Sequence, residues 1–371
     1  MNNDLYLGLD FGTSGARAQV IDREGALVAQ AHCAYDLADW QSWLHALVWL
    51  CASLPKPIRQ QIEAIAIDGT SSTVLLCDET NTPLHPARLY NDDRAQAEAR
   101  AIADCVSPNH IAATPTSSLA KLLAMLKLPH AKPPVYFTDQ ASWLASMLTA
   151  KPGLTDYHNA LKLGLDAARL AWPDWLRALN VDTYLPRVLT PGTLLGGVTQ
   201  AVARKLDLPP HCCVRAGTTD SIAAFIASGA SMPGDAVTSL GSTLVLKLLS
   251  ARRVEAAPLG VYSHRFGSRW LAGGASNSGG AVLRQFFSDA RLAKLSERIN
   301  PEQPSGLDYY PLPRTGERFP TNDPHLAPRL TPRPADDALF LQGLFEGMAH
   351  IEARGYALLT KLGAPPIKRV L

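Results

Sequence analysis

Charge is scarce in this chain. Only 18% of its 371 residues are charged, the net charge is +2, and no block of like charges occurs. No field of one sign is available to steer it to nucleic acid or to a membrane. So low a charged content also excludes a disordered chain, because much of the sequence must be buried. The six cysteines, Cys33, Cys51, Cys77, Cys105, Cys212 and Cys213, form no CxxC pair. Cys212 and Cys213 are neighbours and would strain to bridge each other. Free thiols imply a reducing compartment, and a cytoplasmic location is the expectation. No apolar run reaches membrane-spanning length. The start, MNND, enters a strand without the basic residues or apolar core of a signal peptide. What remains is a chain long enough for two domains.

What is present is concentrated in glycine and hydroxyl residues. In LGLDFGTSGARAQV, residues 7–20, an apolar strand ends in Asp10 and runs into Gly12-Thr13-Ser14-Gly15. A second strand starts at once. Strands this close form a hairpin, since a parallel crossover needs a helix's worth of chain. Glycines let backbone N–H groups crowd onto an anion, and the hydroxyls add donors. Asp10 is placed to hold Mg²⁺, which takes oxygen ligands and bridges to phosphate. The alternative is an ordinary glycine-rich hairpin with an acid at its edge.

The design recurs. Residues 236–248, AVTSLGSTLVLKL, carry Gly241-Ser242-Thr243 between two further apolar strands. Two such hairpins more than two hundred residues apart predict a duplicated domain with a nucleotide in the cleft between halves. Between them, AGTTDSIAAFIA at 216–227 places Asp220 at the start of a small-residue helix. Asp220 fits an N-cap or a catalytic base equally well.

Other segments read more simply. Strands are expected over 5–10, 16–22, 26–31, 62–68, 72–78 and 269–273. Helices are expected over 39–53, 94–105, 117–128, 276–290 and 337–362, with Trp40 and Trp43 as core residues. The proline-rich stretch 300–335 is expected to be an ordered loop over the cleft. His32, His45, His264 and His350 show no metal spacing and read as structural.

The stretches LGLDFGTSGARA (7–18), AIDGTSSTVLLCD (66–78), LYNDDRA (89–95), AGTTDS (216–221), SLGST (239–243), GGAVLRQF (279–286), YYPLPRTGERFPTNDP (309–324) and LFEGMAHIEAR (344–354) resemble, in order and spacing, the FGGY family of carbohydrate kinases. That family lies within the actin/Hsp70/hexokinase-like superfamily. The resemblance implies an α/β fold of two ribonuclease H-like domains around a central cleft, 1–232 on the sugar side and 233–371 on the nucleotide side. It implies ATP-dependent phosphorylation of a ketopentose, D-ribulose or D-xylulose, at its terminal hydroxyl. The chain looks more like the short D-ribulose kinase-type members than like glycerol kinases. A kinase for glycerol or another polyol or ketose is the alternative.

By the same resemblance Asp10 holds the metal, and Gly12, Thr13, Ser14 and Gly15 hold the transferring phosphate. Arg17 meets a phosphate oxygen or is a solvated arginine. Gly241, Ser242, Thr243, Gly280 and Arg284 belong with the remaining phosphates, although Gln285 stands where the family usually has Trp. Asp220 takes the proton from the sugar hydroxyl. Thr70 and Ser71 replace the Met-His pair of xylulose kinases and the Arg-Glu pair of glycerol kinases, which widens the sugar pocket. Asp92 binds vicinal hydroxyls or caps the helix after it. Glu317 and Arg318 brace the cleft loop by ion pairing. A monomer or homodimer is expected, with the sugar as small-molecule partner. The tail PPIKRVL reads as a strand beginning. In the resembled family that strand leads to a Gly-Gly-Gly-Ala loop that holds adenosine. The expectation is therefore a truncated second domain, with an inactive sugar-binding fragment as a further alternative.

Overall fold

The computed structural model describes residues 4–107 and 110–371; the opening Met-Asn-Asn lies outside them. The chain divides into two compact units, Met1–Ala224 and Phe225–Leu371.

The first unit is built on a six-stranded sheet. Its strands are β1 (Leu5–Gly12), β2 (Gly15–Ile21), β3 (Leu27–Cys33) and β4 (Ile62–Gly69). Four short strands outside this sheet follow: β5 (Val74–Cys77), β6 (Tyr136–Asp139), β7 (Leu154–Asp156) and β8 (Arg187–Leu189). Then come β9 (Leu194–Gly197) and β10 (Cys213–Thr219). The order is β3-β2-β1-β4-β10-β9. The tight turn after Gly12 reverses the chain, so β1 and β2 are antiparallel. The helix Trp40–Ser53 lies between β3 and β4 and allows β4 to run parallel to β1. Strand β10 then runs parallel to β4.

Burial alternates along β1 and β2, with Leu5, Leu7, Leu9 and Phe11, then Ala16, Ala18 and Val20, in the core. Residues two apart share a sheet face, so this row is one side of the sheet. The helices Trp40–Ser53 and Gln140–Thr149 supply Trp43 and Trp143 to the same core, edge to face at 5.9 Å. Trp43 is thus the core residue that the sequence predicts, and Trp40, also expected there, is partly buried against the same core.

The second unit has a five-stranded sheet of β11 (Asp235–Leu240), β12 (Leu244–Ser250), β13 (Tyr262–Phe266), β14 (Arg269–Ser276) and β15 (Arg369–Val370), ordered β13-β14-β12-β11-β15. Its pairing repeats the first unit's. β11 reverses into β12, β12 pairs antiparallel with β14, and the other edge of β11 takes the parallel β15. The duplication read from the two hairpins is therefore present in the topology.

One expectation is corrected here. The helix expected over 276–290 is broken into Gly280–Leu283 and Asp289–Ser296. Gly279 sits at φ +142°, outside helical backbone. The Ser288 side chain accepts from the Arg291 N–H and starts a new helix. The 300–335 stretch is ordered, as its aromatics predict: Tyr309, Tyr310 and Phe319 are buried in the unit's own core. Phe319 lies so close to Gly274 that a Cβ there would meet its ring at 2.4 Å.

Candidate active site

The first unit's parallel strands bring three carboxylates to one end of the sheet. Asp10 of β1 is in register with Asp68 of β4, and Asp68 with Thr218 of β10, two residues before Asp220. Open α/β sheets bind ligands outside the carboxyl ends of such strands. One Asp68 oxygen is buried without a hydrogen-bond partner. Burial first, then the charges of Asp10 and Asp220, hold the Asp68 carboxyl well above the usual carboxylate range. Asp220 opens the helix Asp220–Ala227, and its Oδ1 accepts from the Ser221 N–H at 2.6 Å. It therefore lies inside the first helical turn, where the macrodipole favours a carboxylate.

These donors fit a hard cation. All are oxygens, and Asp68 offers one that no protein group uses. Among the described residues no group of three His, Cys, Asp or Glu side chains could hold a metal ion. Mg²⁺ does not need one, because it usually keeps several waters and takes one or two carboxylates.

The predicted phosphate turn has the expected form. Gly12 and Gly15 close the hairpin. Gly15 has φ +145°, and a Cβ there would lie 2.9 Å from the Cys33 carbonyl oxygen, so only glycine fits. Thr13 and Ser14 are exposed at the tip. Arg17 is half tied down: its Nη1 donates to Asp10 Oδ2 at 3.0 Å and its Nη2 to Ser14 Oγ at 3.5 Å. It thus joins the predicted metal ligand to the predicted phosphate turn.

The predicted sugar residues are distributed unevenly. Thr70 is buried, with Oγ1 engaged by Thr73 Oγ1 at 2.5 Å and Gln140 Oε1 at 3.1 Å. Ser71 beside it is partly exposed. Asp92 is held between Arg88 Nη1 at 3.1 Å and Arg94 Nη2 at 2.5 Å. The bond from Arg94 is the leading cause of its depressed carboxyl pKa. Asp92 does not cap the next helix, whose N-cap position is Ala95.

Sequence reading missed three residues here. Asp68 closes IEAIAID as Asp10 closes LGLD, and that shared strand-end acid was the available signal. Lys121 is buried and donates from Nζ to the carbonyls of Ser72 at 2.8 Å and Leu89 at 2.6 Å, tying two predicted sugar loops together. Burial pushes its ammonium down to about 7. Gln140 gave no signal at all.

The second unit gathers its own predicted residues. Gly280 N–H donates to the Gly241 carbonyl at 2.8 Å and Ala281 N–H to that of Ser242 at 3.2 Å. Thr243 lies against Gly279, where a Cβ would come within 2.7 Å of its backbone. Arg284 follows on the surface, paired to Asp289 at 3.3 Å. Glu317 braces its segment without an ion pair to Arg318. It accepts from Ser276 Oγ, the Asn277 N–H and the Arg318 N–H.

Comparison with known proteins bears on the family and the fold. Residues 5–227 match the model of the FGGY family of carbohydrate kinases, N-terminal domain. A xylulose kinase of Klebsiella pneumoniae is 24% identical over 392 residues, which covers 95% of this chain and 77% of that protein. A crystal structure described as a xyloylose kinase from Brucella ovis superposes with TM-score 0.86 at 24% identity, over 99% of this chain and 81% of that one. A Plasmodium falciparum glycerol kinase solved with ADP superposes with TM-score 0.81 at 17% identity, over 99% and 81%.

Proposed function

This chain belongs to the FGGY family of carbohydrate kinases, and we propose that within it the protein transfers the γ-phosphoryl group of ATP to the terminal hydroxyl of a ketopentose. The observation that carries the reading is the meeting of Asp10, Asp68 and Asp220 at one sheet end, beside the Gly12–Gly15 turn. Phosphoryl transfer needs positioning, a cation, donors around the moving group and a base for the attacking hydroxyl.

Asp220 is the base. It accepts the acceptor's proton as the oxygen attacks phosphorus. Thr13 and Ser14, with the backbone N–H groups of Gly12 and Gly15, hold the transferring phosphate. Mg²⁺, when bound, would neutralise charge on the phosphate oxygens, and Asp10 would be the residue to hold it. Gly241, Ser242, Thr243, Gly280 and Arg284 serve the remaining phosphates.

The acceptor divides between two ketopentoses. The names of the relatives favour D-xylulose. The small Thr70 and Ser71 favour D-ribulose. Because the Thr70 hydroxyl is spent on Thr73 and Gln140, the second argument leans on Ser71 alone. An ADP-release screen over D-xylulose, D-ribulose, glycerol and gluconate tests the reading. A ketopentose should exceed glycerol in kcat/KM by roughly a hundredfold, since glycerol leaves polar groups of the pocket unpaired. Asp220→Asn should keep sugar binding and lower kcat by about a hundredfold or more. Highest kcat/KM with glycerol or gluconate would overturn the ketopentose assignment. Near-normal kcat in Asp220→Asn would remove the base.

A further inference from the structure

Gln140 has no counterpart in the chemistry above, yet it is fully buried at the first turn of the helix Gln140–Thr149. Its main-chain N–H and both ends of its amide are engaged toward the site loops. Its main-chain N–H donates to the Thr73 carbonyl at 3.0 Å. Its Oε1 accepts from the Thr70 N–H and from Thr70 Oγ1, both at 3.1 Å. Its Nε2 donates to Tyr35 Oη at 3.3 Å, and Tyr35 Oη donates to the Gly12 carbonyl at 2.8 Å.

The direction of this relay is forced. A peptide N–H only donates, so the amide oxygen of Gln140 must face Thr70 and Nε2 must face Tyr35. A carbonyl only accepts, so the Tyr35 proton must go to Gly12. On the far side Thr73 Oγ1 contacts Thr70 Oγ1 at 2.5 Å and accepts from the Tyr90 N–H at 3.1 Å. One directed chain therefore runs from Tyr90 through Thr73, Thr70, Gln140 and Tyr35 to Gly12. Its packing is close as well: a Cβ on Gly69 would lie 2.9 Å from Gln140 Oε1. Buried chains of this kind are cooperative, and no member can turn without unpairing its neighbour.

We infer that Gln140 is a positioning residue that locks the sugar loops, 70–73 and 90–92, to the phosphate turn at Gly12–Gly15, so that ordering one orders the other. The inference rests on the proposed assignment of those loops. Gln140 touches neither substrate; it fixes the distance between the groups that do.

Hydrogen exchange of the whole chain tests it without needing turnover. Thr70→Val cuts the relay at the sugar end and Tyr35→Phe at the phosphate end, both with little change in volume. Each cut should speed exchange at both ends, over 11–16 and 70–75, by roughly fivefold, as expected for one lost hydrogen bond. Effects confined to the mutated end would overturn the inference. Gln140→Leu should do the same and is the harsher variant, so the two end cuts decide if it fails to fold. Where turnover is measured, Tyr35→Phe should lower kcat about tenfold with sugar KM within about twofold, because geometry rather than binding is lost. A raised KM at full kcat would also overturn it. Absence of phosphorylation of any ketose by the unmodified chain would sink the ketopentose reading instead, and the exchange result would still decide the relay.

Discussion

Gly217→Ala should disable this protein from inside its central sheet. Gly217 lies in β10 where the pairing with β4 slips, between Arg215 opposite Ala66 and Thr218 opposite Asp68. A Cβ there would sit 1.7 Å from the Ile67 carbonyl oxygen and 2.8 Å from its carbon. Ordinary contact between such atoms is about 3.5 Å, so the strands must part by roughly 1.5–2 Å. The obstacle is backbone, with no rotamer to move aside. Ile67 precedes Asp68, and Asp220 follows Gly217 by three residues, so the separation falls on the carboxylates themselves. A misplacement of about 1 Å at a reacting group costs on the order of a hundredfold in rate. Overpacking of this kind also costs about 1–3 kcal/mol of stability. The assay is kcat by ADP release, with urea unfolding in parallel. Gly8→Ala is the control, since a Cβ at Gly8 meets only the Gln19 carbonyl oxygen at 3.9 Å. Wild-type kcat and an unchanged unfolding midpoint in Gly217→Ala would refute the reasoning.

Two further outcomes are expected. Asp10→Asn keeps an oxygen for Arg17 but loses its charge, so the Mg²⁺ concentration for half-maximal rate should rise about tenfold, an electrostatic loss of about one charge-assisted contact; an unchanged Mg²⁺ dependence would remove Asp10 from the metal site. Asp139 and Asp156 are buried, and burial first pushes each up to about 6. The folded chain then keeps protons that the unfolded chain releases near 3.9. Their contribution is therefore lost as pH rises from about 4 to about 6 and is level beyond. Asp139→Asn should flatten that fall, because an amide does not titrate; the hydroxyls of Ser142 and Thr155 can turn to accept from it, so the variant keeps its hydrogen bonds. Urea midpoints of both proteins at several pH values check this, and a wild-type stability that rises relative to the variant across that window would contradict it.

The parts of the site legible in the sequence are those written in adjacent residues. The hairpin turns at Gly12–Gly15 and Gly241–Thr243 could be read because a reversal of a few residues has few solutions, and glycine and hydroxyl residues select among them. Asp220 stood out because it follows a strand and opens a helix. Asp68 carried the same strand-end signature as Asp10 but was taken with its strand as core. Gln140 was illegible for a different reason: its partners are 70 and 105 residues away, and only the fold puts them within reach. Periodicity misled at 276–290, where an apolar pattern runs across Gly279 and the Ser288 cap and conceals two helices as one.

The two hairpins of the repeat differ at a position that bears on the proposed chemistry. Two residues before the turn glycine, β1 carries Asp10 and β11 carries Ser239, so the second hairpin keeps the donor turn without the acid. In the first unit two parallel strands follow, β4 beside β1 and β10 beside β4, and each has a carboxylate at or just past its end. In the second, the parallel partner of β11 among the described residues is β15, which contributes Arg369 and Val370. Arg369 is turned to the base of the strand, where its guanidinium pairs with Asp235 at 2.8 Å, far along β11 from Gly241. A turn with backbone donors and a serine in place of an acid repels no phosphate. The two hairpins thus share one strand pairing and differ at this position, an acid in β1 and a serine in β11, which suits the cation and base proposed for the first unit and the phosphate contacts proposed for the second.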